Sequence, residues 1–330
     1  MGPSSLSSWA LLIHRALVAR GLDGDDMFRR AGMDPANMAD ANSRYPVSAM
    51  QRLWALAVAT TKEPCFGLEV ARLWHPTTFH ALGYSALASA TLREALLCAV
   101  RYSHVVSTGG RLEMRQDDSE VTVTLSGSQI RHAAVPASVE AALASLLIMC
   151  RQASGDQLDP LRVTLTRPHS DCKAGLEAFF HCPVELGGTD NCLVFRASEV
   201  HARLPTANRV LLRANEQVLT QYAARLGHAD LVVLVQYSLT QLLPSGQLDE
   251  AMVARSLNLS LRSMQRKLKE KGTTFRTLVD QTRCELAQEY LQDSMLVVAE
   301  IAYLLGFAEV SSFSRAYRRW TGHAPREAKQ

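Results

Sequence analysis

The last third of the chain carries the same pattern twice: a short helical segment, a turn, and a longer amphipathic helix. The first copy turns at Asn258, and its second helix starts after Ser260. The second copy turns at Gly306, and its second helix runs from about Val310 to Trp320. Asn and Gly tolerate the left-handed backbone of such a turn, and Ser is a favoured N-cap. We therefore predict two helix–turn–helix units in succession.

The second helix of each unit separates apolar from basic side chains. At 100° per residue, the apolar faces comprise Leu261, Met264 and Leu268 in the first helix and Phe313, Ala316, Tyr317 and Trp320 in the second. In the major groove of DNA, Arg pairs with guanine and Gln with adenine, whereas Lys is better suited to phosphate. The predicted DNA contacts lie on the opposite faces, at Arg262, Gln265, Arg266, Lys269, Ser311, Arg315, Arg318 and Arg319.

The segment between the two units has the apolar spacing of one long helix. Its apolar residues are Phe275, Leu278, Val279, Leu286, Tyr290 and Leu291. A helix of about 20 residues is roughly 30 Å long, and successive major grooves on one face of B-DNA lie ~34 Å apart. Such a rod would hold two reading helices near adjacent grooves, which favours double-stranded DNA over a flat or single-stranded target.

Positive charge is concentrated in the same third. Residues 231–330 carry 13 basic and 10 acidic side chains, whereas residues 1–230 carry 22 of each. Between Arg255 and Arg276, seven basic residues accompany the single acid Glu270. One basic face on a helix is usually only a solvated surface. Two such faces, each behind its own turn, favour nucleic acid.

The first two thirds of the chain mix helical and strand periodicity. The predicted elements are helices starting near Pro46 and Pro64, a capped helix over 91–100, a hairpin around 117–119, a helix over 136–153, a strand over 161–166, a short helix over 171–180 and two strands around 187–188. We predict an α+β domain over residues 1–228 and an all-α domain over residues 229–330, with Gly227-His228 as the boundary.

The helix before that boundary has an apolar stripe formed by Val210, Leu211, Ala214, Val218, Tyr222 and Leu226. The stripe suits either the core of its own domain or a partner helix in a dimer. Because amphipathic helices bury against their own domain more often than against a copy, we expect the core.

Several classes of protein are disfavoured. The longest apolar runs are about five residues, far short of the ~18 that span a bilayer. The N-terminus also lacks the basic segment followed by an apolar segment that is typical of a signal peptide. We therefore expect a cytoplasmic protein with no membrane partner. The common catalytic signatures are absent, so no enzyme is predicted. Seven scattered cysteines without a CxxC pair indicate buried thiols in a reducing compartment rather than disulfides.

One group of side chains has the chemistry of metal ligands: His169, Cys172, His181, Cys182 and Cys192. His181 and Cys182 are adjacent and would point to opposite sides of a strand. We therefore expect structural residues here, with no metal and no cofactor.

The C-terminal third resembles the AraC/XylS-type DNA-binding domain. The matching residues are Val253-Ala254, Ser260, Met264-Gln265-Arg266, Phe275, Arg283, Ala287, Leu291, Ile301-Ala302, Gly306-Phe307, Phe313-Ser314-Arg315, Trp320-Thr321-Gly322 and Pro325. The N-terminal part is similar to the arabinose-binding-like effector domain of ornithine- and arginine-type regulators. It matches at Leu82-Gly83-Tyr84, the run from Ser89 to Leu96, Arg101-Tyr102, Pro183-Val184 and the run from Asn191 to Phe195.

The resemblance implies a bacterial transcription regulator with its sensor first and its DNA reader last. It implies base contacts from Arg262, Gln265 and Arg266, and from Ser311 and Arg315 in the second helix. It also implies activation of transcription with RNA polymerase, a homodimer, and a small-molecule effector such as an amino acid or a fatty acid. Val310 departs from the family, since relatives often have a polar residue there, and the Tyr-Arg pair expected after Pro325 is missing.

For the effector, the sequence indicates a group of basic and aromatic side chains that could hold a carboxylate: His75, His80, Tyr84, Arg101 and His104. Each of them could equally be a solvated or structural residue. Two alternatives remain: a ligand-independent dimeric regulator, and an enzyme or DNA-repair protein that uses the helices only to dock on DNA.

Overall fold

The computed structural model describes residues 2–127, 134–155, 158–226, 231–246, 248–257, 259–292 and 296–328. The chain divides into two compact units, Met1–Ala223 and Ala224–Gln330, called here the N-terminal and C-terminal units. The boundary expected at Gly227-His228 lies outside the described residues.

The N-terminal unit contains two small sheets and ten helices in its described residues. The strands are β1 Ser4–Leu6, β2 Arg44–Pro46, β3 Gly110–Gln116, β4 Glu120–Gly127, β5 Arg162–Leu165, β6 Val184–Leu186 and β7 Asn191–Arg196. The helices are α1 Ser7–Ala19, α2 Gly24–Arg30, α3 Val47–Thr61, α4 Phe66–Arg72, α5 Ala81–Ala88, α6 Leu92–Val106, α7 Pro136–Ser154, α8 Lys173–Phe180, α9 Ala197–His201 and α10 Arg209–Arg225, with 3₁₀ turns at Pro35–Ala39 and Pro76–Phe79.

The larger sheet has the strand order β3-β4-β7-β5-β6, and only the β5–β6 pair is parallel. The predicted hairpin is present, and Leu112 faces Leu125 across it while Met114 faces Val123. Since facing residues share one side of a sheet, these apolar side chains lie on the same face. That face covers the cavity described below.

Two predicted helices form the centre of the unit. Helix α7 buries residues around much of its circumference, including Ala141, Leu143 and Leu147, each 0% exposed. Helix α6 starts at a cap in which the Thr91 hydroxyl accepts the Glu94 N–H at 3.2 Å. The sequence predicted the start of each helix to within one residue, because a capping residue marks the start of α6 and a proline marks that of α7. The predicted end of α6 near residue 100 is wrong, since the helix continues to Val106.

The expectation for α10 is wrong. Val210, Leu211 and Val218 of the apolar stripe are 77%, 55% and 52% exposed, whereas Leu212 and Leu219 are 6% and 1% exposed. The buried face is therefore rotated by about one residue position from the predicted one. The elements that pack against α10, rather than the distribution of apolar residues along α10, determine which face of this helix is buried.

The cysteine expectation is also corrected. Cys65 and Cys172 form a disulfide, with an S–S distance of 2.02 Å and a Cα–Cα distance of 5.1 Å. It joins the start of α4 to the start of α8. The two positions are 107 residues apart, so no local spacing reveals the pair. Cys98, Cys150 and Cys192 are buried thiols, as expected.

The C-terminal unit is helical throughout its described residues. Its helices are α11 Leu231–Leu242, α12 Glu250–Ser256, α13 Leu261–Glu270, α14 Phe275–Gln292, α15 Val298–Leu304, α16 Val310–Thr321 and α17 Pro325–Ala328, with a 3₁₀ turn at Leu243–Ser245. None of the helices in the described parts of either unit has the length and apolar content needed to cross a bilayer.

Helix α14 joins two separate cores. Near its start, Leu278 and Val279 pack with Met264 and Leu268 of α13. Further along, Leu286, Ala287 and Leu291 pack with residues of α15 and α16, Phe313 among them. The 18 residues of α14 make a rod of about 27 Å. The rod thus carries one helix–turn–helix unit towards each end, as the sequence predicts.

Candidate nucleic-acid interface and effector cavity

Helix α13 has a buried and an exposed face, and the turn predicted before it at Asn258 lies outside the described residues. The Ser260 hydroxyl caps it by accepting the Ser263 N–H at 3.2 Å. Met264 and Leu268 are 0% and 1% exposed and fix the helix on the first core. Leu261 is 38% exposed, so its predicted place on the packing face is wrong. The exposed side chains include all four predicted contacts: Arg262, Gln265, Arg266 and Lys269.

Two of these side chains contact acidic residues. Gln265 Nε2 donates to Glu250 Oε1 at 3.2 Å. Arg266 Nη1 donates to Glu270 Oε1 at 2.6 Å, and the two side chains are 64% and 59% exposed. Pairs this exposed contribute only a few tenths of a kcal/mol. Arg266 can therefore exchange its carboxylate for another acceptor at little cost.

Helix α16 repeats the arrangement behind the second turn. Phe313, Ala316 and Tyr317 are buried, with Trp320 partly buried beside them. Ser311, Arg315, Arg318 and Arg319 are exposed, as the periodicity predicts. The Ser311 hydroxyl donates to Glu309 Oε2 at 3.0 Å, and Arg315 Nη2 donates to Ser312 Oγ at 3.4 Å. This helix also presents a cationic outer face.

Arg319 has a different environment from the other exposed arginines of α16. Its Nη2 donates to both carboxylate oxygens of Asp280 on α14, at 3.2 Å each. This contact links α16 to the rod, but the two side chains are 61% and 36% exposed, so it contributes little to stability. The sequence pattern missed it because Asp280 is 39 residues away.

Arg283 holds the second turn against the rod. Its Nε donates to the Leu305 carbonyl oxygen at 3.0 Å and its Nη2 to the Gly306 carbonyl oxygen at 3.3 Å. Its guanidinium lies 4.4 Å from the centre of the Phe307 ring, and burial lowers the pKa of Arg283 from its usual value. Gly306 has φ +72°, and a Cβ there would collide with the Leu243 carbonyl oxygen. These contacts hold the turn that precedes α16.

The N-terminal unit contains a cavity of about 450 Å³, a size typical of small-molecule sites. Its wall is formed by one face of the sheet, by α7, by the start of α3 and by the end of α6. The lining residues are Ser5, Trp9, Val47, Met50, Gln51, Trp54, Phe79, Leu82, Ala99, Ser103, Val106, Ser107, Gly109, Gly110, Leu112, Leu125, Ser126, Gly127, Ala134, Ser138, Val139, Ala142, Leu143, Leu146, Met149, Thr166 and Asn191. All of these are apolar, hydroxyl or amide residues.

The five side chains predicted to bind the effector are not part of this lining. His75 and Tyr84 are exposed, and Arg101 Nη1 lies 3.7 Å from Glu216 Oε1. His80 is half-buried, and burial together with the nearby Arg44 charge lowers its pKa, which disfavours its cationic form at neutral pH. His104 is half-buried, 6.5 Å from Tyr102 between ring centres. Effector binding at these five residues stays a prediction.

The candidate metal ligands are dispersed among other contacts. Cys172 is in the disulfide, while His169 and His181 lie 2.9 Å and 3.0 Å from Asp171 and Asp159. Within the described ranges, no group of three or more His, Cys, Asp and Glu side chains is placed to hold a metal ion.

Comparisons with known proteins define the class of this molecule. The family model described as "Arabinose-binding domain of AraC transcription regulator, N-term" matches residues 21–204, and a helix-turn-helix domain model matches residues 253–330. Together the two matches define a DNA-binding transcription regulator with a ligand-binding type of N-terminal domain. The chain belongs to the AraC family of transcription regulators, whose members are DNA-binding regulators rather than enzymes.

Relatives match along nearly the whole chain. It is 27% identical over 310 residues to the ornithine utilization regulator of Pseudomonas aeruginosa, covering 94% of this chain and 91% of the relative. It is 26% identical over 316 residues to the regulator VirS of Mycobacterium tuberculosis, covering 93% and 91%. The crystal structure of the regulator CdpR from Pseudomonas aeruginosa superposes with a TM-score of 0.58 at 21% identity, over 97% of this chain and 96% of that one. This last similarity shows the fold.

Proposed function

We propose that α13 and α16 are two reading helices that enter adjacent major grooves of one DNA duplex. The observation that carries the proposal is that both present exposed cationic faces and both pack on the single rod α14. Arg262, Gln265 and Arg266 are proposed to contact base edges from α13, and Ser311 and Arg315 from α16.

The remaining predicted contacts have other proposed roles. Lys269 and Arg318 are exposed on the same helices and suit phosphates, which position a protein on the duplex without reading its sequence. Arg319 pairs with Asp280 on α14 and is proposed to contact a phosphate, either through its remaining donors or by exchanging this exposed carboxylate.

Arg266 and Lys269 provide a matched test, because both are exposed on α13. Arg266→Ala should cost ~1–3 kcal/mol on the preferred duplex and relax discrimination at one base position. Lys269→Ala should weaken all duplexes alike and lower the salt dependence of binding by about one unit. Fluorescence anisotropy against a set of singly substituted duplexes measures both effects. Equal losses from Arg266→Ala on every duplex would make it a phosphate contact.

We propose that the cavity of the N-terminal unit is the effector site. A ligand that binds one conformation of the protein more tightly than another shifts the population towards the first conformation. If the two conformations differ in their affinity for DNA, the ligand thereby changes the affinity for DNA. Ala142 lines the cavity from α7, so the variant Ala142→Trp should fill the cavity. Ala178 is exposed on α8, so Ala178→Trp is the matched control. The wild-type protein and Ala178→Trp should respond to an effector, and Ala142→Trp should not.

The rival proposals give different results in the same experiment. If a thermal-shift screen finds no stabilising metabolite and Ala142→Trp regulates its promoter as the wild type does, the protein is a ligand-independent regulator. If Arg101→Ala abolishes the response and Ala142→Trp keeps it, the effector binds at the residues predicted from the sequence.

We also propose a homodimer formed through the exposed part of the α10 stripe, at Val210, Leu211, Ala214 and Val218. Adjacent exposed aliphatic residues on one helix face are the usual composition of a helix–helix interface. Light scattering should give a dimer mass for the wild type, a monomer mass for Leu211→Asp/Val218→Asp, and a dimer mass for Ala174→Asp on α8. An unchanged mass for the double variant would place any interface elsewhere.

We propose further that the protein acts in the cytoplasm as an activator that works with RNA polymerase. Two relatives that match shorter stretches of the chain are named transcriptional activators: NphR of Rhodococcus, 33% identical over 110 residues, and RhaS of Escherichia coli, 37% identical over 79 residues. A reporter fused to a bound promoter should lose expression when the gene is deleted. A rise in expression would identify a repressor.

A further inference from the structure

We propose that Cys65 and Cys172 are a redox-active cysteine pair. Their disulfide opens and closes by exchange with a thiol such as glutathione, and its state controls the segment of chain that leads to the cavity wall. The exchange rests only on the two cysteines and their surroundings. Its regulatory consequence rests on the proposed effector cavity.

The surroundings of the cysteine pair allow exchange at one sulfur. Cys65 is half-buried, whereas Cys172 is 1% exposed, so a thiol from solution approaches the disulfide at Cys65. Cys172 is the N-cap residue of α8, and the positive end of a helix stabilises the thiolate that leaves when Cys65 is attacked. Exposed disulfides are more easily reduced than enclosed structural ones. The half-buried Cys65 sulfur therefore makes this disulfide a candidate for reversible exchange.

Gly175 in the first turn of α8 leaves room for the two sulfurs. A Cβ at this position would lie 2.6 Å from Cys65 Sγ and 3.2 Å from Cys172 Sγ. The first of these distances is far below an ordinary non-bonded contact. The backbone of α8 therefore packs directly on the disulfide, and movement of either sulfur changes the packing of this helix.

A short segment connects Cys172 to the cavity. Thr166, directly after β5, lines the cavity. The next residue, Arg167, forms an ion pair with Glu140, which is 1% exposed on α7. Residues 166–172 are thus attached to the cavity wall at one end, to α7 close by, and to α4 through the disulfide at the other end. Opening the disulfide removes the attachment to α4.

The proposed cytoplasmic location favours a reversible disulfide over a permanent one. Disulfides are rare in reducing compartments, and those that occur there are usually catalytic or redox-sensing. Members of the AraC family are regulators rather than enzymes. Redox sensing is therefore the role that suits a disulfide in this chain.

The exchange proceeds in two balanced steps. A glutathione thiolate attacks Cys65 Sγ, forms a mixed disulfide with it and releases Cys172 as a thiolate, which then takes up a proton. A second glutathione thiolate attacks the glutathione sulfur of the mixed disulfide, which releases Cys65 and forms oxidised glutathione. Two electrons pass from two glutathione molecules to the cysteine pair. The reverse steps with oxidised glutathione close the disulfide.

Glutathione buffers test the exchange on the full-length protein. The protein is equilibrated at constant total glutathione and at reduced-to-oxidised ratios from about 1:1 to about 1000:1, quenched with acid, and alkylated in denaturant. Five free thiols should be counted at the lowest ratio and seven at the highest. Cys182→Ser removes another half-buried cysteine and should leave the midpoint ratio unchanged. A disulfide that stays closed at every ratio, or that never forms, would overturn the proposal.

Gly175→Ala tests the packing of α8 on the disulfide without changing a cysteine. The added Cβ overlaps Cys65 Sγ, which the disulfide holds in place, whereas the side chain of a reduced Cys65 can rotate away. Because overpacking then destabilises the oxidised form more than the reduced form, the variant should be half reduced at a glutathione ratio at least about fivefold lower than the wild type. An unchanged midpoint would show that α8 does not respond to the state of the cysteine pair.

Hydrogen exchange tests the link to the cavity. In the reduced protein, amides of residues 166–176 should exchange about tenfold faster than in the oxidised protein, while peptides of α2 keep their rates. Cys65→Ser should show the reduced pattern at every glutathione ratio. Reduced wild-type protein gives the same comparison should this variant unfold, which its melting temperature would reveal. Equal exchange in the oxidised and reduced wild type would refute control of the segment.

Anisotropy titrations separate the regulatory consequence from the proposed function on which it rests. The oxidised and reduced proteins should differ at least about fivefold in their affinity for the preferred duplex. If they bind it equally while Ala142→Trp loses the response to an effector, the cavity is the effector site and the cysteine pair does not regulate it. If Ala142→Trp keeps the response, the effector role of the cavity fails. The thiol counts and exchange rates, which involve no effector, still decide whether the cysteine pair is redox-active.

Discussion

Replacing Arg283 with Ala should loosen the second reading helix while leaving the first in place. The change removes the bonds to the Leu305 and Gly306 carbonyl oxygens, 3.0 and 3.3 Å long, and the contact at 4.4 Å with the Phe307 ring. Leu305 is 0% exposed, so its carbonyl would lose its partner with limited access to water. Hydrogen bonds from charged groups contribute ~1.5–3 kcal/mol and a cation–π contact ~0.5–2 kcal/mol. Because such terms are not additive, we expect a loss of about 3 kcal/mol.

Hydrogen exchange measured by mass spectrometry localises this effect. Amides of α15 and α16 should open about 100-fold more often in Arg283→Ala, which corresponds to about 3 kcal/mol, while peptides of the N-terminal unit keep their rates. Arg276→Ala, at an exposed position of the same helix, is the matched control and should change little. Arg283→Lys should be intermediate, since it keeps the charge and loses the planar fork. Equal exchange in Arg283→Ala and the wild type would refute the assigned role.

Two further predictions concern charge at the DNA interface and the disulfide. Glu270→Gln should tighten DNA binding about two- to threefold in anisotropy titrations, because Arg266 then has no ion pair to break and one negative charge near the phosphates is removed. Glu327→Gln on α17 is the control for net charge. An equal gain in this control would assign the effect to overall charge alone. Reducing the Cys65–Cys172 disulfide should lower the melting temperature of the N-terminal unit. For a loop of this length, the loss of chain-entropy stabilisation is expected to lower the free energy of unfolding by about 4.7 kcal/mol. Seven free thiols after oxidative folding would contradict the disulfide.

The helix–turn–helix units were predictable because local rules define them. Ser260 caps α13, Gly306 supplies the left-handed turn before α16, and the spacing of Met264 and Phe313 identifies the buried faces. Each of these features depends on residues a few positions apart. The hairpin and helix α7 were predictable for the same reason.

Features that depend on distant partners were not predictable. The buried face of α10 is set by the elements packed against Leu212 and Leu219, and the apolar residues on its other side gave the wrong face. Arg319 has the spacing of a DNA contact, yet Asp280 on another helix engages it. The cavity is lined by residues as far apart in sequence as Ser5 and Asn191, so a group of neighbouring histidines gave no indication of it.

The central claim is that two helices on one rod read two adjacent grooves of the same duplex. The most direct test selects a preferred duplex from random DNA and maps purine methylation interference for the wild type, Arg266→Ala and Arg315→Ala. We predict two clusters of interference about 10 base pairs apart on one face of the duplex, with Arg266→Ala erasing one cluster and Arg315→Ala the other. A single cluster, or the loss of the same positions in both variants, would contradict the account.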